Sequence, residues 1–348
     1  MKTILFCGGG SAGHVIPNVA IIDELKDNFK CVYMGTEGIE KDICKQNNIE
    51  FYECNTPKLV RGKIFVNLTL PFKLFKSVGH ATEILNEIKP DLIFSKGGYA
   101  SVPAVMAAKK RNIPVITHES DIKPGLATKF ISKRCKKVLT SFPQTAKMFK
   151  NGIYTGSPMR MKIFGADRLK AMEKFKLDFR PTVIVLGGGS GSRVINENIR
   201  VIANKICRDY NLIHICGKNN IVSSNIYGYR QIEFTDDMGE VYSCADAAVS
   251  RCGSNAAFEL IALKIPTLFI PLENSASRGD QVENAEYFKN SGLCEILREK
   301  DLSPETLYSG IIKTLNNSKI KAALNASDVK CGNNSIKTEV LRTIRQQF

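Results

Sequence analysis

The sequence predicts two doubly wound α/β domains, each a parallel sheet with helices on both faces. Short β-rich apolar runs alternate with helical patterns from end to end, and the runs are far enough apart for helical crossovers. One strand–glycine turn–helix unit also occurs twice.

In chain order, the first half offers the strands KTILFC, KCVYMG, DLIFS, PVITHE and KKVLTS. The second offers TVIVLG, LIHICG, QIEFT, DAAVS and PTLFIP. The repeated unit is "ILFCGGGSAGHVIPNVAI" near the start, echoed by "VIVLGGGSGSRVINENI" at 183–199. A period of roughly 180 residues marks a domain duplication, not a solenoid. The expected division is a first domain over 1–160, a polar linker over 161–180 and a second domain over 181–333. A terminal helix over 334–348 is assigned to neither.

With 348 residues, 43% hydrophobic and 24% charged, the composition is that of a soluble globular protein. No apolar stretch approaches the roughly 18 residues of a membrane span, and the start MKTILFCGGG lacks a signal-peptide core. The eleven cysteines are scattered without a C-x-x-C pair, so neither a zinc site nor a redox pair is signalled and a cytoplasmic chain with free thiols is expected. The four histidines are too dispersed for a metal motif; no metal and no cofactor is expected.

The net charge is +15, and it is uneven: residues 1–165 hold 25 Lys+Arg against 13 Asp+Glu, residues 166–348 hold 24 against 21. One half therefore faces something anionic, whether nucleic acid, a membrane surface or a phosphorylated substrate. The segment "KLVRGKIFVNLTLPFKLFKSVG", 58–79, mixes Lys58, Arg61, Lys63, Lys73 and Lys76 with Phe72, Phe75 and other apolar residues. "KFISKRCKKV", 129–138, adds five basic residues, Lys133 and Arg134 among them. Apolar residues ringed by lysines read as an interfacial surface for an anionic leaflet. No nucleic-acid partner is expected, because the basic segments lack a binding module.

Glycines after a strand bring backbone N–H groups and a helix N-terminus toward an anion. Gly8, Gly10 and Gly13 satisfy G-x-G-x-x-G, and Glu37 could serve as the ribose acid of a dinucleotide site. A P-loop is excluded, because Gly13 is followed by His14-Val15. His14 sits at the first helical turn, where open α/β sheets bind ligands and where a helix N-terminus disfavours the charged imidazole. A general base for a hydroxyl and a structural histidine both fit that position. The loop 187–192, with Gly189 and Ser190, does not repeat the fingerprint. In the second half, "RCGSNAAFELIALKIPTLFIPLENSASRGDQVENAEYF", 251–288, opens a helix from an anion-binding turn that includes Arg251. Glu259, one turn inside, can take both hydroxyls of a ribose, while Asp280, Gln281, Glu283 and Asn284 suit sugar hydroxyls.

On "GGGSAGHVIP", "KGGYASVPAVMAA" (96–108), "THES" (117–120), "GSPMR" (156–160), "GGGSGSRVIN" (187–196), "FTDDM" (234–238) and the cluster 251–284, the whole chain resembles the MurG family. The resemblance implies a GT-B fold of two Rossmann-like domains. It also implies inverting transfer of GlcNAc from UDP-GlcNAc to the MurNAc 4-hydroxyl of undecaprenyl-pyrophosphoryl-MurNAc-pentapeptide, a step of peptidoglycan synthesis on the inner face of the cell membrane. By position it implies that Glu259 holds the ribose and the Thr235 backbone meets the uracil. Arg160 with Gly253, Ser254 and Asn255 would lie near the pyrophosphate, and Gln281 would contact GlcNAc. Ser11, Ala12 and Gly13 would approach the donor, with His14 as the base. The chain departs from the family pattern at Ser11 (commonly threonine), Asp121 (commonly asparagine), Asp280 (commonly glutamine) and Gly189 (commonly serine, here adjoined by Ser190). A transferase of another UDP-sugar to a lipid, and a UDP-GlcNAc 2-epimerase, are the alternatives. The oligomeric state is left open.

Overall fold

The computed structural model describes residues 1–57, 69–189, 191–273, 279–329 and 331–346. They form two compact units, Met1–Arg160 with Cys331–Phe348, and Met161–Lys330.

The first unit is built on a parallel seven-stranded sheet of order β3-β2-β1-β4-β5-β6-β7. Its strands are β1 (Thr3–Cys7), β2 (Lys30–Gly35), β3 (Glu50–Glu53), β4 (Leu92–Ser95), β5 (Val115–Glu119), β6 (Lys137–Thr140) and β7 (Gly152–Tyr154). The central strands β1 and β4 are nearly continuous apolar runs, as burial on both faces requires. One face packs Leu5, Val32 and Ile93 under the helices Leu70–Ile88 and Val102–Lys109. The other packs Ile4, Phe6 and Phe94 under the helix Ala12–Leu25.

Ile336, Val340 and Ile344 belong to this second face, so the terminal helix Asn333–Arg345 is part of the first unit. Asn333 fixes its start: Oδ1 accepts the Met159 N–H at 3.0 Å and Nδ2 donates to Met159 O at 2.9 Å. Lys137 on β6 pairs with Glu339 on the helix at 2.8 Å, with both side chains largely buried.

The second unit has a six-stranded parallel sheet of order β10-β9-β8-β11-β12-β13. Its strands are β8 (Thr182–Leu186), β9 (Asn211–Ile215), β10 (Tyr229–Ile232), β11 (Ala247–Ser250), β12 (Thr267–Phe269) and β13 (Glu295–Ile296). Every expected strand forms, although the QIEFT run begins earlier, at Tyr229. The strands β3, β7 and β13 were not expected.

Residues 161–180 are no bare linker. They carry the helix Arg168–Lys174, capped by Asp167 Oδ1 accepting Leu169 N–H at 2.9 Å, and Arg168 pairs with Asp246 at 2.7 Å within the second unit. In both sheets the strand order reverses beside the first strand, between β1 and β4 and between β8 and β11. Ligands of open α/β sheets bind at the carboxyl ends of such strand pairs.

Candidate active site

In the first unit the turn after β1 meets the turn after β4. Ser11 is the N-cap of the helix Ala12–Leu25, and His14 stands half-buried on its first turn. His14 Nδ1 lies 3.1 Å from Ser11 Oγ, and the His14 N–H donates to Ser11 O at 3.1 Å. Gly98, at φ +74°, is what lets the second turn approach: a Cβ there would lie 2.9 Å from Gly9 O and 3.5 Å from the His14 ring.

Behind the first turn the backbone is held by buried side chains. Tyr33 Oη donates to Gly8 O at 2.8 Å and Asn18 Nδ2 to Cys7 O at 3.2 Å, while Glu40 Oε1 accepts the Gly10 N–H at 2.8 Å. The Gly10 amide is therefore turned to a protein carboxylate. Glu37 is exposed and lies 3.8 Å from Lys41.

Beside these turns, at the end of β5, Glu119 organises the following loop by accepting the N–H groups of Asp121 (3.2 Å) and Gly125 (3.0 Å). Asp121 is half-buried there. Lys96, at the end of β4, is buried and donates to Ser120 Oγ. Burial pushes its ammonium down to about 8, against the opposing pull of Glu119 and Asp121. His118 is fully buried and held neutral by burial, with the Lys96 charge adding to the effect; its Nε2 lies 3.0 Å from Gly156 O. Arg160 is half-buried at the end of this unit, its Nε without a hydrogen-bond partner.

In the second unit three turns at the carboxyl ends of β8, β11 and β12 are tied together by Arg251. Its guanidinium donates to Ser192 Oγ (2.9 Å), Ile270 O (3.0 Å), Pro271 O (3.3 Å) and Glu299 Oε2 (2.7 Å). Arg251 is thus a buried brace that holds the turn from which Gly253 opens the next helix. Gly191, at φ +76°, packs where a Cβ would sit 2.2 Å from Cys216 O, and Gly189 borders open space.

Gly253 caps the helix Ser254–Ala262, which brings Ser254, Asn255 and Glu259 onto one element. Glu259 is 8% exposed, not a solvated surface group, and its Oε2 accepts the Tyr242 hydroxyl at 2.9 Å. Gln281, in the first turn of the helix Asp280–Asn290, accepts the Leu272 N–H at 3.1 Å through Oε1, and Asp280 opens that helix. Thr235 Oγ1 accepts the Asp237 N–H at 3.1 Å in the turn before the helix Met238–Cys244.

Sequence reasoning missed Glu40, Lys96 and Tyr242. A faint signal existed for Glu40, a carboxylate two residues after the second glycine of "GTEGIE". Ser190, Lys58, Arg61 and Lys63 lie outside the described residues. Phe72 (87% exposed) and Phe75 (78%) project from the helix Leu70–Ile88 with Lys73 and Lys76 exposed beside them. The helix Val102–Lys109 packs against both that helix and Leu126–Ser132, whose end carries exposed Lys133 and half-buried Arg134. Among the described residues no helix is long and apolar enough to cross a membrane, and no cluster of His, Cys, Asp and Glu could hold a metal ion.

Comparison with known proteins matches residues 4–140 to the glycosyltransferase family 28 N-terminal domain and residues 182–340 to the family 28 C-terminal domain. A UDP-N-acetylglucosamine–N-acetylmuramyl-(pentapeptide) pyrophosphoryl-undecaprenol N-acetylglucosamine transferase of Clostridium botulinum (strain Alaska E43 / Type E3) is 41% identical over 341 residues. The match covers 96% of this chain and 95% of that protein. The protein of the same name in Clostridium perfringens (strain SM101 / Type A) is 43% identical over 317 residues, 88% of each chain. Among solved structures, Acinetobacter baumannii MurG matches with a TM-score of 0.77 at 21% identity, covering 98% of this chain and 100% of that one. The calicheamicin glycosyltransferase CalG4 shares the fold at a TM-score of 0.76 and 13% identity, covering 99% of each chain. The two parallel-sheet units are those of GT-B glycosyltransferases.

Proposed function

The chain belongs to the MurG family of N-acetylglucosamine transferases, and on that premise we propose that it moves GlcNAc from UDP-GlcNAc to the MurNAc 4-hydroxyl of undecaprenyl-pyrophosphoryl-MurNAc-pentapeptide. The reaction is a single inverting displacement. The acceptor oxygen forms its bond to the anomeric carbon as the bond to the UDP oxygen breaks. The hydroxyl proton passes to His14, and UDP leaves with the electron pair.

The observation that carries the base assignment is the Ser11 hydroxyl 3.1 Å from His14 Nδ1. When Nδ1–H donates to Ser11 Oγ, the tautomer leaves the lone pair on Nε2, where a base needs it. In the second unit Glu259 holds the ribose hydroxyls, the Thr235 backbone meets the uracil, and Gln281 contacts GlcNAc. The diphosphate lies near Gly253, Ser254 and Asn255. Ser11, Ala12 and Gly13 approach the donor, as do Asp121, Gly189 and Asp280.

The exposed Phe72 and Phe75, with Lys73, Lys76, Lys133 and Arg134, face an anionic membrane surface on its cytoplasmic side; each basic group near it is worth about 1 kcal/mol. The test is turnover of UDP-GlcNAc with the lipid-linked MurNAc-pentapeptide. Formation of the disaccharide lipid and UDP supports the proposal. Product only with another donor sugar would move the assignment to a related transferase, and release of ManNAc without acceptor would mark a 2-epimerase.

A further inference from the structure

We propose that Glu40 is a positioning residue for the proposed base, holding the first glycine turn in the shape that aims His14. This inference rests on the reading of His14 as the base. Glu40 is 2% exposed and reaches back from the first turn of the helix Ile39–Gln46 to the turn after β1. Its Oε1 accepts two hydrogen bonds at 2.8 Å, from the Gly10 N–H and from Thr36 Oγ1.

The fit is close. A Cβ at Gly9 would lie 1.9 Å from Glu40 Oε1, and one at Gly35 would lie 3.2 Å from Glu40 Cβ. The carboxylate thus sits in a cradle that only glycines leave open. A bond from a backbone N–H to a buried carboxylate is about twice as strong as a neutral one. Gly10 immediately precedes Ser11, which both caps the helix of His14 and contacts its Nδ1. Moving Gly10 therefore moves the hydroxyl that sets the imidazole tautomer and direction. Tyr33 and Asn18 hold the carbonyls of Gly8 and Cys7, so Glu40 supplies the amide side of the same clamp.

The experiment measures kcat, the KM for UDP-GlcNAc and UDP affinity in wild type, Glu40→Ala, Glu40→Gln, His14→Ala and the Glu40→Ala/His14→Ala pair. Glu40→Ala should lower kcat about 10- to 100-fold, the scale of a misplacement of about 1 Å. UDP affinity should hold. Glu40→Gln, which keeps an acceptor for Gly10 N–H and Thr36, should recover most of the rate. The double variant should be no slower than His14→Ala alone, because both changes disable one device.

Wild-type kcat in Glu40→Ala, with His14→Ala inactive, overturns the positioning role and leaves the base reading intact. Additive losses in the double variant also overturn it, since Glu40 would then act apart from His14. Wild-type kcat in His14→Ala overturns the base reading itself, and the role of Glu40 falls with it. If Glu40→Ala does not fold, Glu40→Gln decides: an inactive, folded Gln variant that binds UDP normally contradicts the hydrogen-bond argument.

Discussion

Replacing Glu259 by alanine tests the nucleotide half of the proposal. The carboxylate is 8% exposed, so its hydrogen bonds are little weakened by water. Two ribose hydroxyls donating to it contribute about 1.5–3 kcal/mol each before desolvation of the nucleotide is deducted. A net loss of about 2–4 kcal/mol is then expected, which weakens UDP binding roughly 30- to 1,000-fold. The same change removes the 2.9 Å bond from Tyr242 and should cost about 1–2 kcal/mol of stability, a separate effect visible in thermal unfolding. Calorimetric titration with UDP and with 2′-deoxy-UDP separates ribose recognition from general damage. The wild type should prefer UDP, and Glu259→Ala should bind both weakly and alike. A variant that keeps wild-type UDP affinity, or keeps the preference for UDP, would refute the ribose assignment.

Gly98→Ala places a side chain at φ +74° against Gly9 O and the His14 ring. That positive φ with ψ 165° is a region open essentially only to glycine and costs about 1–3 kcal/mol, and the pressure on His14 should lower kcat about tenfold or more with UDP affinity intact; wild-type turnover would contradict the packing argument. His214 is buried, with Nδ1 2.9 Å from Tyr229 Oη and Nε2 2.9 Å from Asn196 Oδ1, and burial pushes its pKa from 6.5 down to about 3. The unfolded chain takes up this proton below pH 6.5 while the folded chain does not. The histidine's contribution is therefore full above pH 6.5 and is lost as pH falls toward 3, by up to about 5 kcal/mol. Urea unfolding at a series of pH values should give a shallower acid slope for His214→Gln than for wild type, and equal slopes would count against the assignment.

The sheets were legible where strands are buried on both faces. TVIVL of β8 is fully buried and reads as a strand from its β-branched run. The strands that were missed lie at sheet edges and are short: EFYE of β3 is half-buried with charged ends, and β13 is only Glu295–Ile296. Their pairing is imposed by the neighbouring strand and leaves little apolar pattern.

At the site, His14 and Glu259 could be picked out because each stands on a helix opened by a glycine turn. The partners that hold such groups come from distant parts of the chain. Glu40 lies 30 residues from the Gly10 amide it accepts, and Tyr242 lies 17 residues from Glu259. Arg251 stood out only as part of the turn after β11, and its partner Glu299 lies 48 residues on. Such pairings depend on how the βα connections fold back over the sheet, which spacing along the chain does not encode.

The most direct test of the central claim is kcat for GlcNAc transfer in His14→Ala, with UDP affinity measured on the same preparation. A general base in position contributes about 10²- to 10⁴-fold, so kcat should fall by that order while UDP affinity stays at the wild-type value. Turnover that survives, or that falls only in step with UDP affinity, would contradict the account.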